Sequence, residues 1–280
     1  SILEEKEAHI FFENNSKMIK ATPFVKWVWR KRQLIKQLEN LFPKDFNNYH
    51  EPFLWWGAVF FNLHKKQSFL SDINSELINT YQIVKKHPKD LISLLETFEY
   101  SKDFYTEIRA WDRSENWLND YSEIQRAARF IYLNRTCFNW LYRVNSRWEF
   151  NVPMWKYVNP DFVQKENILN VSKLLNETKA TIKLQSFEKV LDKAKTGDFV
   201  YFDPPYDTLT NTANFTSYNE SWFGRNMQEK LRDVFVELDK RWCKVMLSNH
   251  NTPFIREIFD WFRFEIVKAR RNVNSNWAWR

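Results

Sequence analysis

Asp203, Pro204, Pro205 and Tyr206 form the run in this sequence best suited to chemistry. One carboxylate, two residues without a backbone N–H and one aromatic ring stand side by side. Consecutive prolines fix φ and remove two donors, so a strand leading into them must end there. What remains is a stiff loop offering an acid, bare carbonyl oxygens and a ring face. An acid and a carbonyl can together accept both hydrogens of an exocyclic amine while a tyrosine stacks on the ring that carries it. The loop therefore suits a flat, amino-bearing heterocycle. A strand end followed by a polar turn accounts for the same four residues, and the rest of the chain must decide.

The residues that position this loop are Phe199-Val200-Tyr201-Phe202, four β-formers in the pattern of a strand buried on both faces. A matching half-unit comes earlier. Tyr49–Leu54 reads as a strand entering a loop at Trp55-Trp56-Gly57, and Ala58–Leu63 as an apolar helix start. Ser68–Asp72 reads as a second strand ending in an acid, and Asn74–Lys86 as a helix with Leu77, Ile78 and Tyr81 on one face. This is the opening βαβ unit of a doubly wound sheet, which binds ligands beyond the carboxyl ends of its strands. Asp72 is placed to accept from ribose hydroxyls, and equally to cap a helix.

From residue 181 the α/β rhythm returns. Strands are expected at Thr181–Gln185, 199–203, Cys243–Ser248 and Phe264–Val267, and helices at Phe187–Lys195, Met227–Leu238 and Pro253–Phe259. Residues 88–180 break the pattern. Helical stretches at 91–98 and 123–133 flank the charged run Arg109-Ala110-Trp111-Asp112-Arg113. Alternation on either side of Asn145-Ser146-Arg147 suggests a hairpin over Phe138–Pro153, although the expected turn glycine is absent. Its Arg and Asn content, with Lys156 and Tyr157, suits phosphate and base-edge contact; an exposed amphipathic hairpin fits the composition too. The expected fold is α/β, a Rossmann-like sheet split by an inserted, mainly helical domain with a β-hairpin. The segments are 1–87, 88–180 and 181–280.

The 280 residues can bury a substantial core in one large or two smaller domains. Hydrophobic residues make up 44% and charged residues 28%, an ordinary soluble composition. No apolar run reaches membrane-span length and the N-terminus lacks a signal pattern, so a cytoplasmic protein without membrane contact is expected. Cys137 and Cys243 read as reduced core residues, and the five His make no metal signature. A net charge of +7 tolerates a polyanionic partner without requiring one. One departure is large: the chain has 3 Gly and 14 Trp, whereas average usage gives about 20 glycines. It lacks most of the residues that adopt positive φ without strain.

Several short patterns stand in a telling order: Lys26-Trp27 with Lys31, Glu51-Pro52-Phe53, Ser71-Asp72-Ile73-Asn74, Asp203-Pro204-Pro205-Tyr206 and Leu247-Ser248-Asn249. Together with Arg143-Val144-Asn145 and Glu149-Phe150-Asn151-Val152-Pro153, this set resembles the Dam-type DNA adenine-N6 methyltransferases. It does so in the arrangement where target recognition precedes the catalytic tetrapeptide. The resemblance runs from about residue 22 to 276. Asp-Pro-Pro-Tyr alone is only moderately specific, because RNA and protein amide methyltransferases use relatives of it. The ordered set is far more so.

The resemblance implies methyl transfer from S-adenosylmethionine to adenine N6 in a short palindrome of double-stranded DNA such as GATC. It implies a monomer, with a separate cognate restriction endonuclease as a further partner. By the same resemblance Trp27, Lys31, Asp72, Phe187 and Asp203 contact the cofactor, with Asp72 at the ribose. Asp203, Pro204, Pro205 and Tyr206 are catalytic, and Lys26, Leu141, Arg143, Asn145, Pro153 and Tyr157 contact DNA. No metal is implied. A base inside a duplex cannot reach such a loop, so the adenine must be flipped out and stacked on Tyr206. Asp203 and the Pro204 carbonyl would then accept the amine hydrogens, localise its lone pair and aim it at the methyl group.

The chain departs from the family in one consistent way. Tryptophan replaces a family glycine at Trp29, Trp55, Trp56, Trp140, Trp148 and Trp155, and again at Trp277 and Trp279; Arg30 replaces another. Gln185-Ser186-Phe187 keeps only the Phe of a Gly-Asp-Phe-like pattern. Overpacking a tight site costs about 1–3 kcal/mol, and a bulky residue at positive φ adds strain. The chain as written is expected to bind the cofactor poorly. Three explanations compete: UGA codons that mean glycine read as tryptophan, a catalytically inactive DNA-binding relative, or tryptophans lining a remodelled pocket. The first is favoured, because it affects catalytic loops and turns alike while sparing Gly57, Gly197 and Gly224.

Overall fold

The computed structural model describes residues 20–26, 31–207 and 223–267, and of 31–34 the backbone alone. Trp27, Trp29, Arg30, Trp277, Trp279 and the loop at 209–218 lie outside the described residues, as does the side chain of Lys31. Five strands form one parallel sheet: β1 (Tyr49–Glu51), β2 (Ser68–Asp72), β3 (Thr181–Leu184), β4 (Phe199–Phe202) and β5 (Lys244–Leu247). Their order is β3-β2-β1-β4-β5. The order reverses between β1 and β4, the switch point at which a doubly wound sheet opens a crevice beyond its strands. The expected Rossmann-like α/β architecture is therefore present.

The helices are α1 (Lys31–Leu38), α2 (Phe60–Leu63), α3 (Ser75–Lys86), α4 (Pro88–Leu95), α5 (Lys102–Ala110), α6 (Trp117–Asp120), α7 (Glu123–Thr136), α8 (Lys165–Glu177), α9 (Arg225–Lys240) and α10 (Pro253–Ile258). Contacts divide the chain into two compact units. One comprises Ser1–Trp27, Trp55–Ser68 and Asp72–Leu184, the other Val28–Leu54, Phe69–Ser71 and Gln185–Arg280.

In the second unit, Tyr49 of β1 lies opposite Phe199, and β4 runs beside β5 from Phe199–Lys244 to Phe202–Leu247. All four β4 residues are buried, as expected for an interior strand of a parallel sheet covered on both faces. Phe199 meets the rings of Phe42, Phe46 and Tyr49, and Phe202 meets Phe53 and Phe235. Helix α9 turns Leu231, Val234, Phe235 and Leu238 inward at helical spacing. The turn before β4 needs Gly197: its φ is +82°, and a Cβ there would lie 2.7 Å from the Asn47 amide nitrogen.

Three expectations are corrected in this unit. β1 stops at Glu51 rather than Leu54, because Pro52 cannot donate to the ladder. The helix expected to Lys195 is a 3₁₀ segment, Phe187–Asp192, with no side-chain cap from Ser186. Residues 264–267 form no strand, and Phe264 and Ile266 are exposed; apolar alternation proposes a strand but cannot supply its partner.

In the first unit, the Asn74 side chain caps α3 by accepting from the Leu77 N–H. Helix α3 buries Leu77, Ile78, Tyr81, Ile83 and Val84 and packs with α4, α7 and α8. Helix α7 opens on a capping box between Ser122 and Gln125. The hairpin expected over 138–153 shows two isolated antiparallel bridges, Cys137 with Met154 and Val144 with Phe150, rather than continuous strands.

Candidate functional site

At the end of β4 the chain turns as its prolines require. Asp203 is 7% exposed and its Oδ1 accepts a hydrogen bond from the Tyr206 hydroxyl at 3.0 Å. Burial, reinforced by the Asp203 charge, pushes the Tyr206 hydroxyl pKa far up, so it stays a donor. Among the described residues the Pro204 carbonyl has no hydrogen-bond partner, whereas the Pro205 carbonyl accepts from the Gln228 amide at 2.8 Å. The loop thus offers a fixed acid and an available carbonyl within two residues.

The neighbouring strand end contributes a second acid. Glu51 is 2% exposed and accepts from the Tyr49 hydroxyl at 2.8 Å. Tyr201, inside the same cluster, shares a 2.7 Å hydrogen bond with Ser248. Burial, and then the charges of Glu51 and Asp203 respectively, raise the pKa values of Tyr49 and Tyr201 well above the phenolic range. Two buried acids beside neutral phenols make a site that favours a cation or an amine over an anion.

Residues missed from sequence hold the loop from behind. Buried Asp207 accepts from the Thr252 hydroxyl at 2.6 Å, pairs with Arg225 at 3.5 Å, and donates its N–H to Asn249 at 2.9 Å. Asn249 in turn donates to Gln228 at 3.0 Å. The one legible signal was Leu247-Ser248-Asn249 at the end of β5. Phe187 is buried, with its ring stacked on Phe53 at 5.3 Å and tilted against Phe223.

Asp72, in the first unit, is buried and held by backbone on both oxygens: the Trp55 N–H at 3.1 Å and the Asn74 N–H at 3.0 Å. That geometry fixes the turn after β1 and the entry to α3, whose N-cap is Asn74 and not Asp72. Trp55 itself has φ of +45°, and Trp56 is buried in the same turn.

The hairpin brings most of the expected DNA contacts together. Leu141, Asn145 and Tyr157 are half-buried, whereas Arg143 and Pro153 are exposed. Arg143 donates to the Asn151 side chain at 2.7 Å, a contact that aims its guanidinium along the surface. Asn145 is taken up by the turn: its Oδ1 accepts from the N–H groups of Arg147 and Glu149 at 2.9 and 3.0 Å, and its amide donates to Glu149 at 2.6 Å. Tyr157 donates to the Cys137 carbonyl at 3.1 Å, and burial raises its pKa to about 12. Its ring stacks with Trp140 at 5.8 Å, and the Lys26 ammonium lies 4.4 Å over that indole.

A polar framework not foreseen from sequence grips the returning arm of this hairpin by its backbone. Asp112 accepts the Phe150 N–H at 2.7 Å, and Arg113 donates to the Phe150 carbonyl at 2.6 Å. Tyr105 donates to the Val152 carbonyl at 2.8 Å and Tyr100 to that of Trp155 at 2.6 Å. Asp112 also pairs with Arg113 and, at 2.6 Å, with buried Arg129. Burial pulls the Arg129 pKa down and Asp112 opposes it, so each of the two groups depends on the other.

Among the described residues no cluster of His, Cys, Asp and Glu could hold a metal, and no helix is long and apolar enough to cross a membrane. The acids at 51 and 203 suit a cationic cofactor. At the turn after β1, left-handed Trp55 and buried Trp56 set two indoles where glycine would leave the backbone open.

Comparison with known proteins converges on one family. Residues 27–273 match the profile of the D12 class N6 adenine-specific DNA methyltransferases. The chain is 43% identical over 255 residues to the Type II methyltransferase M1.LlaDCHI of Lactococcus lactis subsp. cremoris, an alignment covering 90% of this chain and 89% of the relative. It is 41% identical over 271 residues to the Type II methyltransferase M.MjaIII of Methanocaldococcus jannaschii, covering 90% and 92%. It is 34% identical over 259 residues to the DNA adenine methylase of Escherichia coli (strain K12), covering 92% and 91%.

Proposed function

Because the chain belongs to the D12 class N6 adenine-specific DNA methyltransferases, we propose that Asp203 and the Pro204 carbonyl receive the amine of a flipped-out adenine in a GATC-like duplex site. The observation that carries this reading is the loop after β4: a buried acid and an available carbonyl on a proline-stiffened turn at the switch point of the sheet. Accepting both amine hydrogens localises the nitrogen lone pair and fixes its direction, a gain of orientation in a site poor in water. The buried phenol of Tyr201 and the half-buried one of Tyr206 limit water around the acid, and Tyr206 offers its ring to the base. S-adenosylmethionine supplies the methyl group. Trp27, Lys31, Asp72, Phe187 and Asp203 are proposed to contact it.

Residues 88–180 are proposed as the target-recognition insertion between catalytic segments 1–87 and 181–280. Lys26, Leu141, Arg143, Pro153 and Tyr157 read the DNA there. Asn145 shapes the turn that presents them, since its side chain is bonded within it. Two relatives are Type II methyltransferases by name, and we read this chain as a monomeric cytoplasmic enzyme working beside a separate restriction endonuclease. Incubation with duplex DNA and methyl-labelled S-adenosylmethionine, followed by digestion to nucleosides, tests the reading. Label on N6-methyladenine is expected; label confined to RNA or to cytosine would refute it.

Left-handed Trp55 beside Asp72 favours a second reading, a DNA-binding relative without catalysis. Salt-sensitive duplex binding with no label transferred, in the chain and in its Trp55→Gly variant alike, would select it.

A further inference from the structure

Four tryptophans sit in backbone conformations that disfavour them. Trp55, Trp140, Trp148 and Trp242 have φ of +45°, +54°, +65° and +62°. They are four of the nine described tryptophans. The other non-glycine residues at positive φ are His64, Gln67, Asn139, Asn159, Gln164 and Lys179. No Phe or Tyr among the described residues joins them, although the chain has 25 Phe and 11 Tyr. Bulky rings in general are therefore not tolerated there; tryptophan alone is concentrated.

Local backbone rules ask for glycine at two of the four. Helix α9 ends with the Cys243 N–H on the Leu238 carbonyl at 3.1 Å and the Trp242 N–H on the Asp239 carbonyl at 2.9 Å. This pair of bonds defines a Schellman motif with Trp242 at its left-handed residue, the position glycine fills most often. The indole is 80% exposed, so packing does little to offset the strain. At the hairpin tip, the Trp148 N–H bonds to the Asn145 carbonyl at 3.0 Å and the Asn145 N–H to the Glu149 carbonyl at 2.9 Å. The last residue of such a three-residue loop is left-handed and is normally glycine. Trp148 occupies it, 73% exposed.

We infer that the working enzyme carries glycine at 55, 140, 148 and 242, the codons at these positions being UGA read as glycine. Trp242 comes from the structure alone and adds a position to those suggested by family resemblance. At the other two positions glycine opens space that binding requires. The Trp140 indole has the Lys26 ammonium 4.4 Å from its centroid and lies nearly parallel to the Tyr157 ring, at 6°. Asn134 secures this arrangement by accepting the Lys26 N–H at 2.7 Å and donating to the carbonyls of Lys26 at 2.9 Å and Trp140 at 3.2 Å. Glycine at 140 frees the space that the indole takes beside a cation and a flat ring, where a nucleobase can stack in its place. Glycine at 55 keeps the N–H that Asp72 accepts and removes the bulk beside it. Trp56 and Trp155 have negative φ and fall outside the inference.

The stability test is independent of the proposed reaction; only the binding and activity tests rest on it. Trp148→Gly and Trp242→Gly in the full chain are expected to raise Tm. Trp111→Gly is the control and is expected to lower it, because Trp111 is right-handed and stacks on Tyr121 at 4.1 Å. Two falls in Tm like that of the control would overturn the inference. So would tryptophan at 148 and 242 in peptides of the enzyme purified from its own cells, read by mass spectrometry. By calorimetry, Trp55→Gly should tighten S-adenosylmethionine and Trp140→Gly should tighten duplex DNA, each by about tenfold or more; unchanged affinity removes that position from the set. If Tm rises and native peptides carry glycine, yet the fourfold variant methylates no DNA, the glycine assignment stands and the methyltransferase reading fails.

Discussion

The loop after β4 and the hairpin at 141–157 achieve rigidity in different proportions of local and remote structure. The loop is stiffened first by covalent structure, two prolines after a buried strand; Asp203 accepts from Tyr206, three residues on, and Gln228 and Asn249 hold the loop from behind. The hairpin has only two isolated bridges of its own. Its shape comes from side chains 37 to 57 residues away that hold its backbone, Asp112 and Arg113 at one end and Tyr100 at the other. An acid on a proline-stiffened turn tolerates most changes elsewhere. A hairpin held by remote contacts does not, and one buried substitution in its framework should disturb all of its contacts together.

The comparison breaks most sharply at Asp203. Asp203→Ala should lower the rate of methyl transfer by about 10²–10³-fold or more and leave duplex affinity nearly unchanged; surviving activity in single-turnover assays would remove the acid from the chemistry. Next comes Asp112→Asn, which leaves Arg129 buried without its counter-charge. Removing one partner of a buried pair costs about 3–5 kcal/mol, measurable by urea denaturation. Discrimination between cognate and altered sites should fall more than turnover on the cognate site. A loss of stability with discrimination intact would show that the framework does not control reading.

Arg143→Ala should cost about 1–3 kcal/mol of discrimination, visible in kcat/KM ratios between sites, with little effect on stability because the side chain is exposed. The smallest effect concerns pH. Burial lowers the folded pKa of His50 against the opposing pull of Asp198, so the unfolded chain binds its proton more readily. Stability should be full above the ordinary histidine value near 6.5 and decline as pH falls below it through the lower folded value. His50→Gln should flatten that slope; an unchanged slope would assign it to other groups.

Much of this was legible before any coordinates. The run Phe199–Tyr206 announces a buried strand and an abrupt stop, and Ser68–Asp72 followed by Asn74 announces a strand, a turn and a capped helix. These features depend on neighbours in sequence. The backbone support of the hairpin was not legible, because Tyr100, Tyr105, Asp112 and Arg129 carry no pattern that ties them to residues 150–157. The engagement of Asn145 within its own turn and the stacking of Phe187 on Phe53 were hidden for the same reason.

The sequence by itself determined that one stiff acid-bearing loop would end a buried strand, since φ restriction, missing donors and β-propensity act within a few residues. It determined also that glycine was scarce. Only the tertiary structure decided which tryptophans bear the strain of that scarcity, because φ is imposed by where the chain must turn to close helices and hairpins. It alone showed that the hairpin at 141–157 rests on buried charges far away in the chain, since long-range pairing depends on packing and leaves no local trace.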